Sequence, residues 1–231
     1  MNNPTGLQDF VEWDVRNWSV ALDFWLANST QRLAGCSALE IGGRNGGLSL
    51  WLALQGARVI CSDVNGPTEK AVLRHRASAV AHLIEYCVVD ATDIPFSEQF
   101  DVIVFKSVLG GIGTHGGRES QAQAIREMHK ALKKGGELIF AVNSVASPIH
   151  KALRRKYVRW GRKWRYVSVK DMEEFLSVFS QVRLLTIGFA GTFGRSETQR
   201  NWLGLIDRAF LERLVPIKWR YIIAGGGEEV G

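Results

Sequence analysis

Long apolar runs are missing from this chain. No stretch of its 231 residues approaches the roughly 18 consecutive apolar positions that a membrane-crossing helix needs. The opening residues, Met1-Asn2-Asn3-Pro4-Thr5-Gly6, lack the basic and then apolar stretch of a secretory signal, so none is expected. Cysteine is scarce. Cys36, Cys61 and Cys87 form no Cys-x-x-Cys pair, and each lies in or beside an apolar strand-like run. They read as small buried hydrophobes of a protein in the reducing cytoplasm, with no metal site. No internal repeat is visible, and the one low-complexity stretch, Gly225–Gly231, reads as a flexible tail.

Acidic residues are absent from one segment. Residues 151–165 carry eight of the 29 lysines and arginines and no Asp or Glu, leaving 21 basic against 23 acidic residues elsewhere. The formal net charge of +6 is therefore local and asks for a local explanation.

What is present is the composition of one α/β domain, 46% hydrophobic and able to fill a sizeable core. From residue 36, short apolar runs alternate with helical periodicity, which argues a mostly parallel sheet with helices on both faces. Strands are expected at Ser37–Ile41, Ala57–Cys61, Ile84–Val89, Asp101–Phe105 and Glu137–Val142, then at Val182–Ile187 and Trp219–Ala224. Helices are expected at Gly47–Leu54, Pro67–Ala79, Glu119–Leu132 and Gln199–Leu214. Ahead of the sheet, Leu7–Leu33 reads as one or two amphipathic helices carrying Trp13, Trp18 and Trp25.

The most informative segment is Ala38–Gly47, an apolar strand ending in Gly42-Gly43-Arg44-Asn45-Gly46-Gly47 and opening a helix. That context suits a nucleotide-like cofactor, because glycine permits a sharp turn and close backbone approach. The dinucleotide pattern Gly-x-Gly-x-x-Gly fails in both registers, at Ile41 in one and Arg44 in the other. Three carboxylates remain: Glu40 before the first glycine, Asp63 closing the second strand and Asp90 closing the third. A carboxylate at Glu40 suits a cationic cofactor without pyrophosphate. Asp63 can accept both ribose hydroxyls, and Asp90 can accept from an adenine amino group. In sheets of this kind all three converge on the crevice outside the strand ends.

Leu39–Gly47, Cys61-Ser62-Asp63, Val89-Asp90-Ala91, Phe100–Ile103 and Leu132–Gly136 resemble the successive motifs of class I S-adenosylmethionine-dependent methyltransferases. The resemblance covers residues 37–142. It implies a Rossmann-like seven-stranded sheet in the order 3-2-1-4-5-7-6, one domain over residues 1–231, and S-adenosylmethionine as cofactor. It places Glu40, Gly42 and Gly46 at the methionine part, Asp63 at the ribose, and Asp90 with Ala91 at the adenine. Gly43, Arg44, Val64 and Lys106 complete the expected cofactor-facing set. Arg44 stands where the family's pattern has its central glycine, and two readings stay open: a salt bridge to the cofactor carboxylate, or a side chain in solvent.

A narrower resemblance involves Trp13–Trp18, Ala21–Trp25, Gly46–Leu54, Phe105–Gly113 and Trp160–Tyr166. These look like methyltransferases of bacterial surface-polysaccharide (O-antigen or capsule) biosynthesis. O-methylation of a sugar or phosphate on a glycan, or on its lipid- or nucleotide-linked precursor, is then implied. An RNA or small-molecule methyltransferase, or an inactive methyltransferase fold serving as a binding subunit, are the other readings.

In this architecture the loops after strands four and five face the acceptor. The first holds five glycines between Gly110 and Gly117 and reads as a loop able to close over substrate, with His115 as a candidate general base. The second leads to Ser147, a helix cap, and to His150, the other candidate base. Lys106, where strand four ends, is placed to steer an anionic acceptor. Across residues 147–166, Leu153, Tyr157, Trp160 and Trp164 fit one helical stripe with basic residues on the other faces; Gly161 weakens that helix. A solvated face, contact with an anionic membrane through residues 151–165, and a phosphate-bearing glycan precursor all fit, with nucleic acid ranked after the last.

Overall fold

In the computed structural model, which describes residues 6–158 and 161–229, the first half of the sheet repeats a short aliphatic strand, a turn and a helix. β1 is Ser37–Ile41, β2 Arg58–Asp63, β3 Ile84–Val88, β4 Phe100–Lys106 and β5 Leu132–Asn143, all parallel in the order 3-2-1-4-5. β6 (Ser180–Ile187) and β7 (Ile222–Glu228) close the sheet, β7 running antiparallel to both β5 and β6. The order is 3-2-1-4-5-7-6.

Alternate side chains feed two half-cores, as a sheet covered on both faces requires. Val102 and Val104 of β4 join one face, beneath α2 (Val15–Asn28) and α3 (Gly47–Leu54). Ile103 and Phe105 join the other, beneath α5 (Leu109–Ala131) and α7 (Val169–Phe175). The leading tryptophans belong to the first half-core: Trp18 and Trp25 of α2 are buried, and the Trp25 indole donates to the Gly225 carbonyl at 3.2 Å. A short α1 (Leu7–Val11) precedes α2, α4 is Glu69–Arg76, α6 is Pro148–Tyr157 and α8 is Glu197–Ile206.

Four expectations are corrected. The glycine-rich segment after β4 is the first part of α5, interrupted only at Gly117 (φ 63°, ψ −147°). A Cβ at Gly110 would overlap the Trp164 ring, so this glycine serves close packing. Gly225–Gly227 are not a tail. They are buried in β7, where a Cβ on Gly225 would meet Phe140 at 2.6 Å and Leu184 at 2.7 Å; Val230 and Gly231 lie outside the described residues. The basic segment is not one helix, since α6 ends at Tyr157 and Trp164 packs separately on Gly110. Of that segment, Arg159 and Trp160 lie outside the described residues, as do Met1–Thr5 at the N-terminus. The helix expected over Gln199–Leu214 changes pitch at Asp207, whose buried carboxylate accepts from the Ala190 and Gly191 amides at 2.7 and 2.9 Å.

Candidate functional site

The C-terminal ends of β1, β2, β4 and β5 open onto a cavity of about 840 Å³. Its floor is the turn after β1, and the turn's shape depends on glycine. Gly46 holds φ +66°, and a Cβ there would overlap the ring of buried His75. His75 secures the turn by donating from Nε2 to the Gly46 carbonyl at 2.7 Å, while Nδ1 accepts from the Tyr86 hydroxyl at 3.1 Å. Burial lowers the His75 pKa and keeps that ring neutral.

Glu40 is buried at the end of β1. Its Oε2 accepts from the Ser49 amide at 2.8 Å, the Ser49 hydroxyl and the Cys61 thiol. Desolvation outweighs these bonds and pushes its pKa up to about 7. Asp63 ends β2 with its carboxylate turned to the same turn, accepting from the Arg44 and Asn65 amides, each at 3.2 Å. Asp90 lies beyond β3, exposed, with Oδ1 accepting from the Thr92 amide at 2.8 Å and hydroxyl at 2.7 Å. Three strand ends thus present carboxylates to one space.

Glu40, Gly42, Gly43, Arg44, Asp63, Val64, Asp90, Ala91, Lys106 and His115 all line this cavity. Arg44 is exposed. Gly46 stands behind the wall, holding the turn through His75. Lys106 is half-buried, its ammonium 4.8 Å from the centroid of the Trp18 ring; burial lowers its pKa against the pull of Glu12 and Glu40.

His150 is not on the cavity wall. It is buried among Phe189, Phe193 and Tyr221, at ring distances of 5.0, 4.6 and 5.9 Å. Its Nε2 donates to the Phe189 carbonyl at 2.8 Å, so Nδ1 accepts from the Ser147 hydroxyl at 2.7 Å. Burial takes its pKa down to about 4. Both His150 nitrogens are engaged away from the cavity wall, and His115 is the one histidine on that wall among the described residues.

Sequence reasoning passed over several wall residues. Phe10, Glu12 and Trp13 reach the cavity from the N-terminal helices, which read only as an amphipathic cover. Ser107 sits at φ 61°, a strained conformation for serine, where its Oγ accepts from the Asn143 side-chain Nδ2 at 2.9 Å. Both face the cavity, and nothing in the sequence forecasts the strain.

A second cavity, about 510 Å³, lies beside the first, and Trp164 lines both. Lys151, Arg154, Arg155, Arg162 and Tyr166 line it as well. Arg154 stacks over Tyr166 at 4.2 Å and donates to the Ser144 carbonyl at 2.5 Å. Among the described residues, none of these four cations has a carboxylate within ion-pair distance, whereas Arg165 pairs with Asp171 at 2.7 Å. The structure thus ties Arg165 to Asp171 and Arg154 to Ser144 and Tyr166, and leaves Lys151, Arg155 and Arg162 exposed along the second cavity. No group of metal-ligating side chains occurs among the described residues.

Residues 39–140 match a family model described as a methyltransferase domain. No curated protein matches the chain. Among solved structures, Haemonchus contortus phosphoethanolamine N-methyltransferase 2, in complex with phosphomonomethylethanolamine and S-adenosylhomocysteine, is similar with a TM-score of 0.64 at 16% identity. The match covers 93% of this chain and 53% of that one, so this chain spans about half of that enzyme's length. Geranyl diphosphate C-methyltransferase from Streptomyces coelicolor A3(2), with Mg²⁺, geranyl diphosphate and S-adenosylhomocysteine, gives a TM-score of 0.64 at 12% identity, covering 91% of this chain and 80% of that one. The [4+2]-cyclase SpnF gives 0.63 at 17% identity, covering 92% and 80%. At such identities the likeness shows the fold, and this fold carries more than one chemistry.

Proposed function

We propose that this chain is an S-adenosylmethionine-dependent methyltransferase acting on an anionic acceptor. The observation that carries the reading is the convergence of Glu40, Asp63 and Asp90 on one 840 Å³ cavity above a glycine turn. Bound there, S-adenosylmethionine supplies a methyl group made electrophilic by its sulfonium. The donor set fits such a cofactor. Glu40 offers a carboxylate to a cationic group, and a cation beside it would draw its raised pKa back down and keep it ionised. Asp63 and Asp90 offer acceptors to hydroxyl and amino groups, and Val64 and Ala91 offer apolar wall to a flat ring. The exposed Arg44 fits either reading, a partner for the cofactor carboxylate or a side chain in solvent.

The acceptor is read as a hydroxyl or phosphate oxygen of a glycan or its lipid- or nucleotide-linked precursor. The second cavity supports an anionic substrate, because Lys151, Arg155 and Arg162, exposed and with no carboxylate partner among the described residues, stand one tryptophan away from the first. His115 takes the acceptor proton, and Lys106 orients the anionic end. The protein works in the cytoplasm, with residues 151–165 in peripheral contact with anionic membrane. Among the described residues no helix is long and apolar enough to cross one.

Titration calorimetry with S-adenosylmethionine tests the cofactor. Asp63→Ala should weaken binding at least tenfold, in line with the roughly 1.5–3 kcal/mol of hydrogen bonds to a charged acceptor. Unchanged affinity in a folded variant rules this assignment out. A second reading, the fold without methyl transfer, is favoured by Arg44 in place of a loop glycine. Binding of the cofactor with no turnover on any phosphorylated glycan would select it.

A further inference from the structure

Large apolar side chains stand exposed where the chain leaves the sheet edge that carries the cavity. The connection from β6 to β7, residues 188–221, begins and ends at that edge, because Ile222 pairs with both Asn143 and Ile187. Within it Trp202 and Phe210 are each 65% exposed, Leu214 79% and Ile217 59%, and Trp219 is exposed too. Apolar residues scattered singly are ordinary on a surface; a concentration of large ones in a single segment marks a contact. α6 leaves the same edge from β5 and adds Ile149, Leu153 and Tyr157, about one turn apart and all exposed.

The exposed charges within these two stretches, residues 198–220 and α6, have one sign. Between residues 198 and 220 the exposed charged residues are Arg208, Arg213 and Lys218. The two acids there are engaged elsewhere: Asp207 is buried on backbone amides, and half-buried Glu212 accepts from the Gly188 amide at 3.1 Å. α6 carries Lys151, Arg155 and Lys156 exposed and no acid. The two segments are joined at Ser144, whose carbonyl accepts from Arg154 and whose hydroxyl donates to the Arg220 carbonyl, both at 2.5 Å.

We propose that this face docks on an anionic lipid bilayer, with Trp202, Phe210, Leu214, Ile217 and Trp219 entering the interface. Exposed aromatic and aliphatic groups beside exposed Arg208, Arg213 and Lys218 are what an interfacial segment presents to anionic lipid. A second copy of this chain would bring the same positive charges against themselves, which opposes self-association. The proposal rests on the reading of residues 151–165 as membrane-facing and extends it to a second segment that inserts. It sets the mouth of the cavity toward a lipid-linked anionic acceptor.

The test is sedimentation of the full chain with phosphatidylcholine vesicles, with and without phosphatidylglycerol. A variant carrying Trp202→Gln, Phe210→Ser, Leu214→Ser and Trp219→Gln is run beside the wild type. Circular dichroism and S-adenosylmethionine binding should match the wild type, since none of the four residues lines the cavity. The wild type should partition to phosphatidylglycerol vesicles at least about tenfold better than the variant. Brominated acyl chains should quench the tryptophan fluorescence of the wild type alone. Wild type left in the supernatant, or a variant that binds as tightly, overturns the proposal. So does a wild-type dimer that the variant abolishes without any vesicle binding. Loss of cofactor binding by the wild type would sink the methyltransferase reading and leave the vesicle result standing.

Discussion

The ammonium of Lys106 lies 4.8 Å from the centre of the Trp18 ring, joining the end of β4 to a helix that the chain laid down before its sheet began. A cation over an indole face gains about 0.5–2 kcal/mol, which helps hold half-buried Lys106 against α2 at the cavity wall. Lys106→Met keeps the packing and removes the charge. We expect kcat/KM for an anionic acceptor to fall at least about tenfold while donor affinity changes little. Steady-state kinetics beside calorimetry decides it; equal losses in both would make Lys106 a cofactor residue.

His115 and His150 should separate cleanly. His115→Ala should lower turnover about 10²-fold or more and leave the melting temperature near that of the wild type. His150→Ala removes a buried ring and two hydrogen bonds, and should destabilise the fold by about 2–4 kcal/mol. Turnover scaled to the folded fraction should be nearly intact in His150→Ala. A large loss of activity there, in folded protein, would return His150 to the chemistry.

The second cavity is examined through Lys151, Arg155 and Arg162, because Arg154 also holds Ser144. Changing the three to Gln should raise KM for a phosphorylated glycan precursor and leave S-adenosylmethionine affinity unchanged. The difference from the wild type should shrink as salt rises. An RNA competitor belongs in the same assay, and preferential inhibition by RNA would transfer the cavity to a nucleic-acid acceptor.

Asp14 is buried, accepts from the Tyr221 hydroxyl and has its pKa raised to about 7, chiefly by desolvation. A carboxyl whose folded pKa exceeds its unfolded value near 3.8 favours the fold when protonated. That advantage is lost as pH rises from about 4 to 7. Asp14→Asn should therefore gain stability relative to the wild type across this window, with a constant difference above pH 8. Melting temperatures of the two proteins at matched pH give the answer; a flat difference would mean that Asp14 is ionised throughout.

Much of the site was legible because its parts are local. A strand of Ala38–Ile41 followed by glycines, and acids closing the next two strands, are patterns of adjacent residues. The parallel topology then brings them together without further choice. The positive charge of residues 151–165 was equally plain from composition. Other meanings required three dimensions. Gly110 and Gly225 look like flexibility in the sequence, and only Trp164, Phe140 and Leu184, distant in the chain, show that they are packing space. His150 carries a titratable ring in either view, and what fixes it is burial against residues 189, 193 and 221, which no window around residue 150 contains. Sequence pattern determined most of the strands, their cavity-facing ends and the net charge, because these follow from neighbours along the chain. Tertiary structure decided which histidine meets the cavity, which cations have no carboxylate partner among the described residues and which apolar groups stay uncovered, because exposure depends on what folds over a residue from elsewhere.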